Sequence, residues 1–318
     1  GADVTKVEMP GRGDDARHIG PFIDGKSAYF MSLNRGKQSI ALDLKEADDR
    51  KTFERLLETA DVLVENYRAG TLDKLGYDWT TLHAKYPRLI LASASGFGQT
   101  GPYKERPAYD MVVQAMGGIM SLTGDPDGEP VKTGVAIADI MVGMYASNAI
   151  LAALHHKNAT GQGQYIDMAL LDAQVAWLAN QGLNYLTSGE VPARMGNAHP
   201  NIVPYQVMPS QDGYFVLAVG NDDQFARFCD FAGLHDLASD ERFATNNGRV
   251  QHRATLVPLL EKATRSQPTG YWLDGLEPRH VPCGPVNDLA QVFDDPQVRH
   301  RNMEIELPHG PAGGAPVK

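Results

Sequence analysis

The first half of the chain alternates short apolar runs with segments of helical periodicity. Apolar runs at 39–44, 61–65 and 89–93 predict three strands, and helical patterns at 46–59 and 71–86 separate them. Parallel neighbours need crossover connections, which helices supply. The pattern therefore predicts an α/β fold with a parallel sheet covered by helices.

An almost wholly apolar segment follows at 139–156 and predicts a buried helix that begins at Asp139, directly after the strand-like 135–138. A buried strand at 164–169 and a helix at 171–186 come next. An aspartate at a helix N-cap accepts a backbone N–H and is favoured in its ionised form by the helix dipole. Asp139 is therefore the candidate carboxylate nucleophile, with plain helix capping as the alternative.

The pattern changes near residue 195, where prolines and glycines accumulate up to Pro209. A strand at 214–220 and helices at 223–232 and 251–264 then predict a smaller α+β domain. We expect a large domain at 1–195, a small domain with linkers at 196–305 and a return segment toward the large domain at 306–318.

Composition and charge narrow the class of protein. The 318 residues are 42% hydrophobic and 21% charged, which is typical of a soluble globular enzyme. The net charge of −10 argues against binding to nucleic acid or to an acidic membrane surface, and no apolar run approaches a membrane span.

The two cysteines, Cys229 and Cys283, lack metal-ligand or redox spacing, so no metal site is expected. A cytoplasmic location is expected, with a mitochondrial one left open because a removed targeting segment would not be visible.

The stretch Gly96–Gly101 fits the dinucleotide-binding pattern G-x-G-x-x-G and follows a predicted strand. Phosphate binding there needs a helix to begin, which Pro102 and Pro107 oppose. The acidic residue that completes the pattern is also missing. A glycine-containing loop that lines a site is favoured over a nicotinamide site, and no permanently bound cofactor is expected.

Basic side chains follow the second predicted strand. Arg68 and Lys74 flank Gly70 at the point where parallel strands form a ligand crevice. They are candidates for phosphate contacts, with a solvated surface turn as the alternative.

Seven stretches together resemble a known family: GADVTKVE, SLNRGKQSIALDL, DVLVENYRAGTLDKLGYD, LILASASGFGQTGPY, YDMVVQAMGG, GVAIADIMVGMYA and ATGQGQYIDMALLDA. They resemble the class III CoA-transferase family, which includes formyl-CoA and carnitine CoA-transferases and α-methylacyl-CoA racemases. The later stretches GNAHPNIVPYQ and VPCGPVNDLAQVFDDPQV are similar to the branch that uses succinyl-CoA and dicarboxylates such as glutarate.

The resemblance implies a Rossmann-like, CoA-binding large domain, a smaller α+β domain and two interlocked chains in a homodimer. It implies that Asp139 is the nucleophile, and that a loop at Gly196 and Asn197 stabilises an oxyanion or covers the site. Acyl-CoA and a carboxylic acid would be small-molecule substrates. By the same motifs, the CoA contacts would be Leu42, Asp43, Lys45, Asn66, Tyr67, Arg68, Lys74, Tyr109 and Asp110.

The chain departs from the family pattern in two ways. Met9 stands where the family often has a basic residue, which puts one phosphate contact in doubt. The family's first βα unit and its closing C-terminal helical segment are not in this sequence.

Tyr109 separates two reactions within the family, because the racemases carry a histidine base at that position. Tyrosine is a poor base at neutral pH, so CoA transfer is favoured over racemisation or epimerisation. A non-catalytic acyl-CoA-binding protein is the second alternative. Arg106, Arg194 and His199 are candidate partners for a second carboxylate on the acceptor.

Overall fold

The computed structural model describes residues 2–309 and 314–317. The chain divides into two compact units. The first comprises Gly1–Leu122 and Pro130–Pro192, and the second comprises Thr123–Glu129 and Ala193–Lys318. The division lies three residues before the predicted boundary at 195, and it assigns the short segment Thr123–Glu129 to the second unit.

The strands of the first unit are β1 (Thr5–Glu8), β2 (Phe22–Ile23), β3 (Lys26–Ser27), β4 (Gln38–Ala41), β5 (Val62–Glu65), β6 (Ile90–Ser95) and β7 (Tyr165–Ala169). β1 pairs with β4 in parallel, and β5, β6 and β7 form a second parallel sheet in that order. β2 and β3 form a short antiparallel pair. The first unit is thus mixed α/β with parallel sheets, as the sequence predicts.

The helices of the first unit are α1 (Ala28–Asn34), α2 (Ala47–Thr59), α3 (Thr71–Lys74), α4 (Trp79–Lys85), α5 (Asp110–Met116), α6 (Ile119–Leu122), α7 (Ile137–Thr160), α8 (Leu170–Ala176) and α9 (Ala179–Ser188). A short 3₁₀ turn lies at Asp15–His18.

Three details differ from the sequence prediction. The strands predicted as consecutive neighbours fall in two sheets, because β4 pairs with β1 and has no ladder to β5. The helix predicted at 71–86 is two helices, since Gly76 has a positive φ of 82° and Asp78 caps a new helix. The helix predicted at 171–186 is also broken, at Ala179 with φ 47°.

Two apolar clusters organise the first unit. One packs α2, α3 and α4 against the strands through side chains such as Phe53, Leu72 and Leu82. The other joins α5, α7 and α8 through Val113, Ala138, Val142, Leu170 and Ala173. The second cluster fixes the beginning of α7, where Asp139 lies.

The helix α7 differs from its prediction in length and surroundings. It has 24 residues and, by length and composition only, is the one helix in the described residues apolar enough to cross a membrane. The sequence predicted a shorter apolar helix at 139–156 and no apolar run that approaches a membrane span. Core helices of soluble proteins have the same length and composition, but only 22% of the most apolar window is buried in this chain. Much of the apolar surface of α7 is therefore uncovered.

The strands of the second unit are β8 (Tyr205–Pro209), β9 (Tyr214–Ala218), β10 (Cys283–Pro285), β11 (Leu307–His309) and β12 (Gly314–Val317). Its helices are α10 (Asp222–Phe231), α11 (His235–Ser239), α12 (Asn246–Gln251), α13 (Arg253–Thr264), α14 (Thr269–Leu276), α15 (Leu289–Asp294) and α16 (Pro296–His300), with a 3₁₀ turn at Glu277–Arg279.

The core of the second unit is rich in aromatic side chains. An antiparallel sheet of β8, β9 and β10 packs on helices through Phe215, Phe225, Phe228 and Trp272. The indole N–H of Trp272 donates to the Thr264 carbonyl at 2.8 Å, which satisfies its polar atom inside the core. The unit is an α+β structure with its own core. The predicted return of 306–318 toward the large domain stays a prediction, since residues 310–313 and 318 lie outside the described residues.

Candidate functional site

Asp139 lies in the first turn of α7 and does not cap it. The helix begins at Ile137 with Ala136 as its N-cap residue, and Ala136 offers no side-chain hydrogen bond. Asp139 is thus the third helical residue, and the prediction that it opens the helix as a cap is wrong. The reason is that Ile137 and Ala138, predicted as the end of a strand, belong to the first turn, whose N–H groups are capped from elsewhere in the chain. The side chain of Asp139 is exposed.

The missing cap is supplied by Asp110, at the start of α5. Its Oδ1 accepts the N–H of Ala138 at 2.8 Å and, at 3.5 Å, that of Asp139. These are N–H groups of the first helical turn, which have no partner within the helix. The carboxylate of Asp110 therefore takes the place of an N-cap side chain for α7.

Gln114 holds Asp110 from the other side. Its Nε2 donates to Asp110 Oδ2 at 2.6 Å, and its Oε1 accepts the backbone N–H of Thr133 at 2.9 Å. Gln114 is fully buried. A hydrogen-bonded chain therefore connects Thr133, Gln114, Asp110 and the first turn of α7. Sequence reasoning missed Gln114, although a glutamine four residues after an aspartate in a helix indicates such a pair.

The pKa of the Asp139 carboxyl is raised by partial desolvation and by the like charge of Asp110. Ala138 and Val142 beside it pack on Leu170, which directly follows β7. Asp139 therefore lies where β7 ends, at the carboxyl edge of the parallel sheet, the edge at which α/β proteins bind ligands.

Several predicted CoA-binding residues follow β5 at the same edge. Asn66, Tyr67 and Arg68 come directly after that strand, and the Asn66 side chain donates to the Ala94 carbonyl of β6 at 2.7 Å. The side chains of Lys45, Arg68 and Lys74 are exposed, and none of the ion pairs within residues 2–309 and 314–317 involves them. Three cations are thus free to meet phosphates.

The remaining predicted CoA contacts differ in their accessibility. Tyr109 is 81% exposed, whereas Leu42 is 5% exposed and packs in the core. A contact from Leu42 would have to come from its backbone. Asp43 folds its carboxylate onto the N–H of Lys45 at 3.0 Å. Both oxygens of Asp110 have partners inside the protein, so its predicted contact with CoA stays a prediction.

The glycine-containing loop after β6 does not begin a helix. Residues 96–109 form turns and bends until α5 starts. The N–H of Gln99 already donates to both carboxylate oxygens of Asp167, at 3.1 and 3.0 Å. Gly96 is required because a Cβ there would lie 2.2 Å from that of Ala108. The loop is packed against the sheet, and one of its amides is already occupied.

A cavity of about 270 Å³ lies beside Arg68. Its lining includes Glu65, Asp73 and Glu105, and burial raises the pKa of Glu65. Of the predicted CoA contacts only Arg68 lines it, and Asp139 does not. No cluster of three or more His, Cys, Asp or Glu side chains that could hold a metal ion occurs within the described part of the chain.

Gly196 and Asn197 lie in the second unit, so their predicted role at Asp139 stays a prediction. Both are exposed, Gly196 has a positive φ of 59°, and its N–H donates to the Gly124 carbonyl at 3.0 Å. Arg194 donates to the carbonyls of Asp125 and Gly128 at 3.1 and 2.5 Å. The segment Thr123–Glu129 thus supports this loop.

The other two candidates for a second carboxylate also have partners. Burial and the nearby Arg253 lower the pKa of His199, whose Nδ1 accepts the N–H of Asn201 at 3.1 Å. The guanidinium of Arg106, in the first unit, lies 3.9 Å over the ring of Tyr103. Neither side chain is directed to an acceptor acid by these contacts.

Side chains of α12 and α13 form hydrogen bonds with the backbone that follows the Gly196 loop. Arg253 donates to the carbonyls of His199 and Pro200 at 2.6 and 3.0 Å. Arg249 donates to the Val203 carbonyl at 2.7 Å. Asn246 accepts the N–H of Val203 at 3.1 Å and donates to the Asn201 carbonyl at 2.8 Å. Sequence reasoning missed all three, although the spacing of Asn246 and Arg249 indicates one helix face.

Comparison with known proteins agrees with the resemblance of the motifs. The model of CoA-transferase family III matches residues 1–318. A succinate–glutarate CoA-transferase of Agrobacterium fabrum is 49% identical over 314 residues, covering 96% of this chain and 78% of that protein. The human succinyl-CoA:glutarate CoA-transferase is 41% identical, covering 98% of this chain and 72% of its own. The crystal structure of a CAIB/BAIF family protein from Brucella suis superposes with a TM-score of 0.84 at 50% identity, over 97% of this chain and 82% of that one. The chain belongs to CoA-transferase family III.

Proposed function

We propose that this CoA-transferase moves CoA from a succinyl-CoA-like acyl donor to a free dicarboxylic acid, with Asp139 as the covalent carrier. The observation that carries the assignment of Asp139 is its exposed carboxylate in the first turn of α7, at the carboxyl edge of a parallel sheet. The named substrates of the relatives support the choice of acids.

The first half of the reaction loads the enzyme. The Asp139 carboxylate attacks the thioester carbonyl of the donor, so a C–O bond forms, the C–S bond breaks and CoA leaves as thiolate. The thiolate then attacks the aspartyl carbonyl of the mixed anhydride. The donor acid leaves, and CoA remains as a thioester on Asp139.

The second half repeats these steps in reverse with the acceptor. Its carboxylate attacks the aspartyl thioester, the thiolate leaves, and a new anhydride joins the acceptor to Asp139. The thiolate attacks the acceptor carbonyl, which forms the new CoA ester and frees the Asp139 carboxylate. The anhydride intermediates are not hydrolysed, provided that water is excluded from the site.

The chain offers groups for each further requirement. Lys45, Arg68 and Lys74 supply positive charge for the phosphates of CoA, and Tyr109 an exposed ring for its pantetheine arm. The N–H of Asn197 is proposed to stabilise the oxyanion of the tetrahedral intermediates, since that of Gly196 already donates to the Gly124 carbonyl. CoA enters and leaves as a substrate.

The acceptor class is tested by incubating the protein with succinyl-CoA and one free acid at a time. Glutarate and pentanoate form a matched pair, since they share a five-carbon chain and differ in the second carboxylate. Chromatography should show glutaryl-CoA forming faster than pentanoyl-CoA. Equal rates would contradict a site for dicarboxylic acids.

The racemase alternative is tested in deuterium oxide with a 2-methylacyl-CoA. We expect no α-deuterium by mass spectrometry, because Tyr109 replaces the histidine base of the family's racemases. Incorporation of α-deuterium as fast as CoA transfer would assign the protein to the racemase branch.

We also propose that two copies of the chain form a homodimer through the uncovered apolar surface of the first unit. Leu151 of α7 is 64% exposed, and Leu183 and Leu186 of α9 are 61% and 78% exposed. Apolar patches of this kind on a single chain mark interaction surfaces. The interlocked arrangement of the resembled family supports a second copy as the partner.

A further inference from the structure

The first turn of α7 is held by a side chain from another helix. Ala136 at its N-cap gives no side-chain hydrogen bond, and Asp110 Oδ1 accepts the N–H of Ala138 at 2.8 Å instead. An N-cap side chain is fixed by its own backbone. A cap that comes from α5 keeps its place only if something else fixes it.

Gln114 fixes the side chain of Asp110. Its amide bridges Asp110 Oδ2 at 2.6 Å and the backbone N–H of Thr133 at 2.9 Å. A fully buried amide is costly unless both of its ends are bonded. An apolar side chain would fill this position without that cost, so the amide is explained by the two groups that it joins.

The position of α5 depends on the same region. A Cβ at Gly117, where α5 ends, would lie 2.3 Å from Cγ of Gln174 in α8. The close contact of these helices keeps Asp110 and Gln114 near the cluster of Ala138 and Leu170.

We propose that Asp110 and Gln114 are positioning residues for the nucleophile. The hydrogen-bonded chain Thr133–Gln114–Asp110 fixes the first turn of α7, and it places the negative charge of Asp110 beside the Asp139 carboxylate. This inference rests on the proposed role of Asp139, and it gives Asp110 a task other than the predicted contact with CoA.

The other charged side chains on the described elements packed against α7 do not raise the pKa of the Asp139 carboxyl. Asp167 of β7 and Asp172 of α8 belong to elements packed against α7, and β6 carries no charged side chain. Desolvation raises the pKa of the Asp139 carboxyl, and among the charged side chains of the described residues Asp110 is the one that raises it further. Attack requires the ionised carboxylate, so activity falls as the pH drops through this raised pKa. Removing the charge of Asp110 lowers the pKa and moves the acid limb of the profile to lower pH.

The first test is Asp110→Asn, which keeps an oxygen acceptor for the Ala138 N–H, removes the negative charge and also removes the acceptor of Gln114 Nε2. The profile of kcat/KM against pH is recorded for transfer from succinyl-CoA to glutarate. We expect the acid limb to shift to lower pH than in the wild type. Asp172→Asn is the matched control, because it removes one negative charge from an exposed residue of the same unit and should leave the limb in place. The substrates titrate identically in all three proteins, so a difference belongs to the enzyme.

The second test is Gln114→Met, which keeps the volume and removes the hydrogen bonds of the side chain to Asp110 and Thr133. Loosening the turn that carries the nucleophile should lower kcat by about tenfold to a hundredfold. The KM for the acyl-CoA should stay within about twofold, because the contacts with CoA are unchanged.

Gln114→Glu covers the case in which the methionine variant fails to fold. A protonated carboxyl at 114 keeps both hydrogen bonds, whereas its ionised form repels Asp110. This variant should be active at low pH and lose activity as the pH rises, where the wild type stays active.

Two results would overturn the inference. One is an acid limb that does not move in Asp110→Asn. The other is a KM that rises for acyl-CoA in Asp110→Asn with kcat unchanged, which would make Asp110 a CoA contact.

Asp139→Ala separates a failure of the positioning role from a failure of the proposed function. If Asp139→Ala is inactive while these variants change only KM, Asp139 remains the nucleophile and the positioning role alone is wrong.

Discussion

Asp139 is subject to opposing influences at the start of α7. The helix dipole favours its ionised form, whereas desolvation and the charge of Asp110 oppose that form, and the net result is a raised pKa. A more basic carboxylate is a better nucleophile as long as it stays ionised at working pH. The exposed side chain leaves that carboxylate open to a thioester.

Asp139→Ala should therefore abolish CoA transfer and leave folding and CoA binding largely intact. Loss of a covalent nucleophile costs several kcal/mol of barrier, so activity below about 1% of wild type is expected. Asp172→Ala is a close control, since Asp172 is also an exposed acid at the third position of its helix, α8. It should retain full activity. Mass spectrometry of the wild type incubated with acyl-CoA should show a CoA adduct on the peptide that contains Asp139. Substantial transfer by Asp139→Ala would contradict covalent catalysis there.

At the scale of elements, α12 and α13 hold the segment that leads from the Gly196 loop into β8 by hydrogen bonds to its backbone. Arg249 is the centre of this contact, because its fully buried guanidinium binds the carbonyls of Val203 and Phe243 and pairs with Asp222 at 2.7 Å. It also lies 4.5 Å over the ring of Phe225. One side chain thereby joins a loop, a helix and the core of the second unit.

Arg249→Leu should destabilise the second unit by about 3 kcal/mol, because two buried carbonyls lose their donor. Hydrogen exchange read by mass spectrometry separates the units, with faster exchange expected around Phe225 and unchanged exchange around Phe53. Arg242→Leu is the control, since Arg242 pairs with Asp240 at the surface and exposed pairs contribute little. Unchanged exchange around Phe225 in Arg249→Leu would contradict the role of the buried arginine.

At the scale of the molecule, a net charge of −10 coexists with a large uncovered apolar surface on the first unit. Net charge of one sign keeps chains apart unless apolar burial outweighs the repulsion. A second copy of the chain would cover α7 and α9. In an interlocked homodimer, as the resemblance implies, the copies would not separate without partial unfolding.

Light scattering during size-exclusion chromatography should therefore give about twice the chain mass of 34.6 kDa at micromolar concentration. Leu186→Glu places a charge on the most exposed leucine of α9 and should weaken the assembly. A folded monomer of the wild-type chain at that concentration would contradict the proposed homodimer.

The sequence predicted those features that depend on local periodicity. The strands at 61–65 and 89–93, the helix at 46–59 and the apolar helix that carries Asp139 all appear within a few residues of their predicted bounds. Buried faces recur with the period of the element, so a window of ten to twenty residues is enough to show them. The ordered motifs also identified the family, which the comparisons confirm.

Tertiary structure alone decided which distant groups meet. Asp110 and Ala138 are 28 residues apart, Gln114 and Thr133 are 19 apart, and Arg253 and His199 are 54 apart. No periodicity links such positions, because a hydrogen bond between a side chain and a remote backbone group exists only after the elements have packed. The cap of α7 was misassigned to Asp139 for that reason. The sequence named Asp139 as the candidate nucleophile, and the packing of α5 against α7 determined what holds the first turn of its helix.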